Sequence, residues 1–231
     1  MAPSFLTSEQ ISQILLDCRL ECDSLLVERV QTYLRFLAKW NERMNLTAIQ
    51  SPVDLLKTLF AESFFAAELV GDPKGPILDI GSGAGFPGLA MAVYRPELNL
   101  ILLEARKKRA AFLAALRREL GLVGVEVRNR RLEECMVADF SELPAVLTMR
   151  AVGGIGTVVE RGARLLRGDR RILLFSSVQA AKSTMANTEG VCWQPQVSIP
   201  WDPSHVILLG HARQMFHVKH SVANDFRSPE C

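Results

Sequence analysis

Aromatic residues are scarce. Phenylalanine, tryptophan and tyrosine make up 7% of the 231 residues, with only two tyrosines and three tryptophans. Composition therefore offers no obvious platform for stacking nucleobases. Long apolar runs are missing too. The most apolar window, Leu55 to Val70, is interrupted by Lys57, Glu62 and Glu68, which excludes a membrane span. The opening MAPSFLTSEQ has no basic segment followed by an apolar run, so no signal peptide is expected. The five cysteines (Cys18, Cys22, Cys135, Cys192, Cys231) are odd in number and scattered. Cys18 and Cys22 lie one helical turn apart, yet no second Cys/His pair completes a zinc pattern. All four histidines fall in the last strand and tail without an accompanying carboxylate or cysteine cluster, so no metal site is expected. Reduced thiols and a cytoplasmic location follow as expectations. A large charge excess is also absent: the net charge of +2 does not by itself announce a nucleic-acid partner.

What is present is an ordinary globular balance, 48% hydrophobic and 23% charged, sufficient to bury a real core. The charge is unevenly spread. Between Glu104 and Arg131 stand nine Lys/Arg against three Glu, a local excess of +6 that reads either as solvated helix and strand edges or as a surface meeting phosphates. The first third is helical. Thr7 or Ser8 can cap a first helix, with Gln10 in the capping-box position for Thr7. Leu26, Val30, Leu34, Leu37, Trp40 and Met44 recur at helical spacing, and Ser51-Pro52 opens another helix running to about Val70.

After the turn-forming GDPKGP at 71–76 the pattern changes. Strands are expected at Ile77–Gly81, Leu98–Ala105, Val125–Arg130, Val146–Val152 and Arg171–Ser176. Helices are expected at Gly88–Tyr94, Lys107–Leu120 and Ile155–Leu166. Such alternation predicts an α/β fold, a mostly parallel sheet with helices on both faces and an N-terminal helical segment. Val191–Ile199 and Val206–Gly210, with no helix between them, are expected as an antiparallel hairpin at the sheet edge. The expected organisation is a helical segment at 1–72 packed on an α/β domain at 73–212, followed by a disordered tail at 213–231.

The stretch ILDIGSGAGFPG (77–88) carries four glycines where the first strand of the sheet turns into a helix, which is where ligands sit in open α/β sheets. Gly83, Gly85 and the residues to Gly88 formally satisfy a dinucleotide fingerprint. Asp79, two residues before Gly81, argues otherwise. A carboxylate there suits the cationic amino group and sulfonium of S-adenosylmethionine and repels a pyrophosphate. Pro87 also removes an N–H that a pyrophosphate would use. Asp79-x-Gly81-x-Gly83-x-Gly85 resembles motif I of the class I (Rossmann-like) S-adenosylmethionine-dependent methyltransferases. Glu104, at the end of LNLILLEA, can accept hydrogen bonds from both ribose hydroxyls of either cofactor, or pair with Lys107 or Lys108.

A closer resemblance lies in WNERMNLTAI (40–49), ILDIGSGAGFPGLAMAVYRPEL (77–98), KKRAAFL (107–113), RRLEE (130–134) and MRAV (149–152). Together these resemble the ribosomal RNA small-subunit methyltransferase G family, also known as glucose-inhibited division protein B, over about Leu25 to Leu209. The resemblance implies methyl transfer from S-adenosyl-L-methionine to N7 of a guanine in 16S ribosomal RNA; the RNA or the small ribosomal subunit is the expected partner, and a monomer is expected. Carried over by motif, it places Gly81 and Phe86 of the loop, Leu132 and Glu133 beside the adenine, and Arg150 after the fourth strand at the cofactor. Glu134 competes with Glu133, and Arg150, in an apolar strand end, needs RNA phosphate, a carboxylate or the cofactor as partner. The chain departs from the family at Thr58-Leu59, where many members carry Arg/Lys-His. It departs again at Glu62-Ser63, for Asp-Ser, and at Phe175-Ser176-Ser177, for Leu-Lys-Gly. These departures bear on the RNA-contacting face and leave the cofactor site untouched.

Guanine N7 has an in-plane lone pair and no proton, so its methylation needs alignment rather than a general base. The absence of an asparagine-proline-proline-tyrosine motif and of an activated cysteine agrees with that chemistry. Phe86 is the candidate for base stacking, whereas Trp40 is expected in a helix core. Competing functions are an S-adenosylmethionine enzyme acting on another RNA or a small molecule, a dinucleotide-linked oxidoreductase, and a non-catalytic RNA-binding protein. MFHVKH (215–220) can be encoded by codons containing TGTTTCACGTGAAACA, a palindrome similar to bacterial chromosome-partition sites. The hexapeptide is therefore expected to reflect a DNA site overlapping the gene.

Overall fold

A computed structural model describes residues 6–150, 155–168 and 170–213. Helix α1, Ser8–Asp17, starts with the expected reciprocal cap: Gln10 N donates to Thr7 Oγ1 at 3.2 Å and Thr7 N donates to Gln10 Oε1 at 2.9 Å. Helix α2, Ser24–Met44, is capped by Asp23, whose carboxylate accepts from Leu26 N at 2.7 Å. It ends at Asn45 in a left-handed conformation. The Asn41 side chain then binds the chain as it turns, accepting from Leu46 N at 2.6 Å and Thr47 N at 3.0 Å. The helix expected from Ser51-Pro52 to Val70 comprises α3 (Pro52–Leu55), a wide π-helical turn (Leu56–Ala61) and α4 (Glu62–Val70).

The sheet strands are β1 (Ile77–Ile80), β2 (Leu100–Leu103), β3 (Val125–Arg128), β4 (Val146–Arg150), β5 (Arg171–Ser177), β6 (Val191–Trp193), β7 (Val197–Ile199) and β8 (Asp202–Ala212). Between them run α5 (Gly88–Tyr94), α6 (Lys107–Glu119), α7 (Ile155–Ala163) and α8 (Val178–Ala186). Strand order is β3-β2-β1-β4-β5-β8-β6, with β7 also paired to β8. The first five strands are parallel and β8 is antiparallel to its neighbours. Alternation within the strands sorts side chains between two cores. Ile77, Leu100, Leu102, Val146 and Leu173 face α5, α6 and the N-terminal helices. Leu78, Ile80, Ile101, Leu103, Leu147 and Leu174 face the layer of α7 and α8. Both faces are covered, and every residue of β1 and β2 is buried.

The end of the chain differs from expectation. Val191–Ile199 forms two short strands, and each pairs with β8. Far from being half of an edge hairpin, β8 inserts between β5 and β6 along eleven residues. Helix α8 was not expected from the sequence. Ser177 starts it, its hydroxyl accepting from Ala180 N at 3.2 Å. The expected continuation of β4 to Val152, and the tail with MFHVKH, lie outside the described residues. Arg213, the last one described, donates its backbone N–H to Gly190 O at 2.8 Å. Among the described residues no helix is long and apolar enough to cross a membrane.

Candidate cofactor and acceptor site

Three carboxylates are buried among the described residues, Glu62, Asp79 and Glu104, with exposures of 1%, 0% and 5%. Asp79 and Glu104 stand at the carboxyl ends of β1 and β2, and Glu62 reaches Arg150 at the end of β4, so all three converge on one edge of the sheet. Burying a carboxylate is costly unless something compensates it.

Asp79 sits beneath the glycine loop. Its Oδ2 accepts from Gly88 N at 3.2 Å, at the start of α5, while its buried Oδ1 has no hydrogen-bond partner. Burial, with a smaller contribution from the nearby Glu104, pushes the Asp79 carboxyl up to about 7, and the Ser82 hydroxyl and the Gly88 N–H offset this only in part. Glu104 is the loop's outer anchor. Its carboxylate accepts from Gly83 N at 2.9 Å and from Arg106 N at 2.7 Å, and its backbone carbonyl accepts from Asn129 Nδ2 at 2.8 Å. Each carboxylate oxygen keeps a further lone pair for a hydroxyl donor.

The loop glycines serve two purposes. Gly83, at φ +56, has only Gly81 O and Arg109 Nη1 within 4 Å of where a Cβ would stand, at 3.6 and 3.8 Å, so space is left above it. Gly85 is crowded from within: a Cβ there would lie 2.1 Å from the Tyr33 hydroxyl, which donates to Ala84 O at 2.7 Å. The close neighbour that demands glycine at 85 is therefore Tyr33 of α2.

Phe86 does not offer a base-stacking surface. Its ring is buried, stacked on Tyr33 at 5.2 Å and edge-on to Phe60 at 4.9 Å, where apolar burial outweighs exposure at the loop rim. Any contribution of Phe86 to a ligand comes from its backbone. Trp40 packs as expected, against Phe36 and Phe112 at 5.9 and 5.7 Å.

After β3, Leu132–Glu134 forms one 3-10 turn. Leu132 is buried and Glu133 is exposed, 3.8 Å from Arg161 Nη1 on α7. Glu134 accepts from Arg131 N at 3.1 Å, which closes its own turn.

Arg150 has the partner that burial requires. Its Nη1 lies 2.8 Å from Glu62 Oε2 and its guanidinium sits 5.1 Å from the Phe175 ring centroid. The other oxygen, Oε1, is 3.0 Å from His205 Nδ1, which is also 3.0 Å from Asp202 Oδ2. Burial pushes the Glu62 carboxyl up, while Arg150 and His205 pull it down. His205 was not foreseen as a site residue, since 143 positions separate it from Glu62. Possible ligand atoms of Glu62, Asp202 and His205 lie within 4.8 Å of one another. The Arg150 charge on the same carboxylate opposes a cation there.

The donor set fits S-adenosylmethionine. Two buried carboxylates and an orphaned Asp79 oxygen beneath an open glycine loop suit a cationic amino acid and a ribose, and would repel a diphosphate. Fold and site define a class I S-adenosylmethionine-dependent methyltransferase. In agreement, a precorrin-6y methyltransferase of Geobacter metallireducens shares the fold with a TM-score of 0.51 at 12% identity, covering 73% of this chain and 90% of its own. Residues 26–198 match the model of the family described as rRNA small subunit methyltransferase G. A ribosomal RNA small subunit methyltransferase G of Halorhodospira halophila is 35% identical over 157 residues, 68% of this chain and 72% of that protein. One of Helicobacter pylori is 35% identical over 169 residues, 72% and 90% respectively. The chain belongs to the rRNA small subunit methyltransferase G family.

Proposed function

We propose that the protein, acting as a cytoplasmic monomer, transfers a methyl group from S-adenosylmethionine to N7 of a guanine in 16S ribosomal RNA. The observation that carries this reading is the buried Asp79 carboxylate beneath the loop, beside Glu104, with its Oδ1 unpartnered. S-adenosylmethionine supplies, when bound, a methyl group activated on a sulfonium. Asp79 supplies a negative field beneath that cation. Gly81, Gly83 and Phe86 present loop backbone, and Glu104 accepts from the ribose hydroxyls. Leu132 and Glu133 cover and hydrogen-bond the adenine, and Arg150 closes the site on the β4 side. No side chain has to remove a proton, because N7 has none to lose; the chain's task is alignment and charge compensation.

The RNA side is supported by the start of α6. Arg106, Lys107 and Lys108 are all exposed at its N-terminus. Cations at that end oppose the helix dipole, an arrangement that phosphate relieves. Much of the remaining local excess serves structure: Arg128 pairs with Glu126 at 2.6 Å, and Arg130 with Asp139 at 3.0 Å.

Two experiments test the reading. Small subunits from a strain lacking this gene should gain one N7-methylguanosine when treated with protein and S-adenosylmethionine; bound cofactor with no gain would refute the substrate. Glu104→Gln should weaken binding of S-adenosylhomocysteine about 10-fold or more in calorimetry, since one acceptor to the ribose is lost. An unchanged affinity would remove Glu104 from the site.

A further inference from the structure

Beyond the end of β4 lies an open depression of about 260 Å³ whose lining includes Glu62, Arg150, Phe175, Ser176, Ser177 and His205. Its volume matches one nucleobase rather than a drug-sized ligand. Arg150 belongs to β4, which pairs directly with β1, so the depression adjoins the strand that leads into the glycine loop. Its floor holds the Glu62 carboxylate, one residue past the π-helical turn that ends at Ala61.

Resting on the methyltransferase reading above, we propose that this depression receives the acceptor base turned out of the RNA, and that Glu62 identifies it as guanine. The chemistry is specific. Guanine's Watson–Crick edge carries two adjacent donors, N1–H and the N2 amino group, which match the two oxygens of one carboxylate. Adenine presents an acceptor at N1, and cytosine one at N3, so either would face the carboxylate with like polarity. Glu62 has the capacity to read that edge. A carboxylate offers about four lone-pair positions; Arg150 Nη1 lies 2.8 Å from Oε2 and His205 Nδ1 3.0 Å from Oε1, and the carboxylate is 1% exposed, so a base reaches it where these two side chains shift aside. The Arg150 charge opposes the burial that pushes the Glu62 carboxyl up, and so favours the ionised form that a double acceptor must have. With guanine so held, N7, on the opposite side of the ring, points away from Glu62 and stays free to react. Arg150, whose guanidinium lies over the buried Phe175 ring at 5.1 Å, supplies a planar group at the wall of the depression.

The test uses small subunits rebuilt with 16S RNA in which the methylated guanosine is replaced by inosine, which lacks the N2 amino group. Wild-type protein should methylate inosine about 10- to 100-fold more slowly, the cost of leaving a buried acceptor unpaired. Glu62→Gln should be slow on both substrates and lose that discrimination, while its affinity for S-adenosylhomocysteine stays within about twofold of wild type. A purely structural role for Glu62 would lower activity without changing the ratio between the two bases. Equal rates on guanosine and inosine by the wild-type protein would overturn the proposal, whether or not the variant folds. So would full discrimination retained by Glu62→Gln. Absence of any guanine methylation by the wild type would overturn the activity and the pocket together, whereas activity without discrimination would overturn the pocket alone.

Discussion

Asp79→Asn is expected to stabilise the ligand-free protein by about 2 kcal/mol at about pH 8 and to weaken S-adenosylmethionine binding at least tenfold. The carboxyl of Asp79 stands raised from 3.8 to about 7, chiefly by burial. A raised folded value means that the folded chain holds a proton the unfolded chain has released. The destabilising contribution is therefore absent below about pH 3.8, grows as the pH rises between 3.8 and 7, and is complete above 7. The rise from 3.8 to about 7 corresponds to about 4 kcal/mol at most, and the asparagine amide, itself lacking a partner for its NH2, recovers about half. The loss of binding comes from the same charge. A cation above the loop favours the ionised carboxylate, so cofactor affinity should climb by up to about tenfold per pH unit on the way to pH 7. It should level off between there and about pH 8, where an α-amino group loses its own proton. Denaturant unfolding and calorimetry on the variant check both halves. A variant less stable than wild type, with unchanged affinity, would remove Asp79 from this role.

Gly85→Ala should cost about 3 kcal/mol or more, because φ is +95° there and the new Cβ would stand 2.1 Å from the Tyr33 hydroxyl. Tyr33→Phe alone should cost about 1–2 kcal/mol, since Ala84 O loses its buried donor. In the Tyr33→Phe background the alanine should cost less than half as much, leaving mainly the backbone strain and the Leu89 Cβ contact at 3.0 Å. A double-mutant cycle of denaturant midpoints would give a coupling of about 1.5 kcal/mol or more. Strictly additive effects would show that another contact sets the need for glycine at 85.

These two positions show how far the sequence could be read. Local signals carried well: the Thr7 and Gln10 cap, the glycine turn after Ile80, Glu104 closing β2, and the strand-helix alternation all depend on neighbours a few residues apart. Distant meetings did not. Tyr33 touches the loop across 51 positions, and His205 reaches Glu62 across 143. Nothing in helical or strand periodicity selects such pairs. Phe86 was placed in the right loop with its ring turned the wrong way, because a motif fixes the backbone while Tyr33 and Phe60 decide which side offers apolar cover. Helix α8 was hidden by its composition, VQAAKSTMA, which offers a weak apolar stripe and one buried residue, Ala181. The insertion of β8 between β5 and β6 is equally hidden, since which strand pairs with β5 is decided by tertiary packing.

The most direct measurement is calorimetric titration of the protein with S-adenosylmethionine and, separately, with a nicotinamide dinucleotide. The account predicts one site per chain for S-adenosylmethionine, tighter at about pH 7 than at about pH 6 as Asp79 ionises, and no heat from the dinucleotide. Tight dinucleotide binding, with none of the methyl donor, would contradict it.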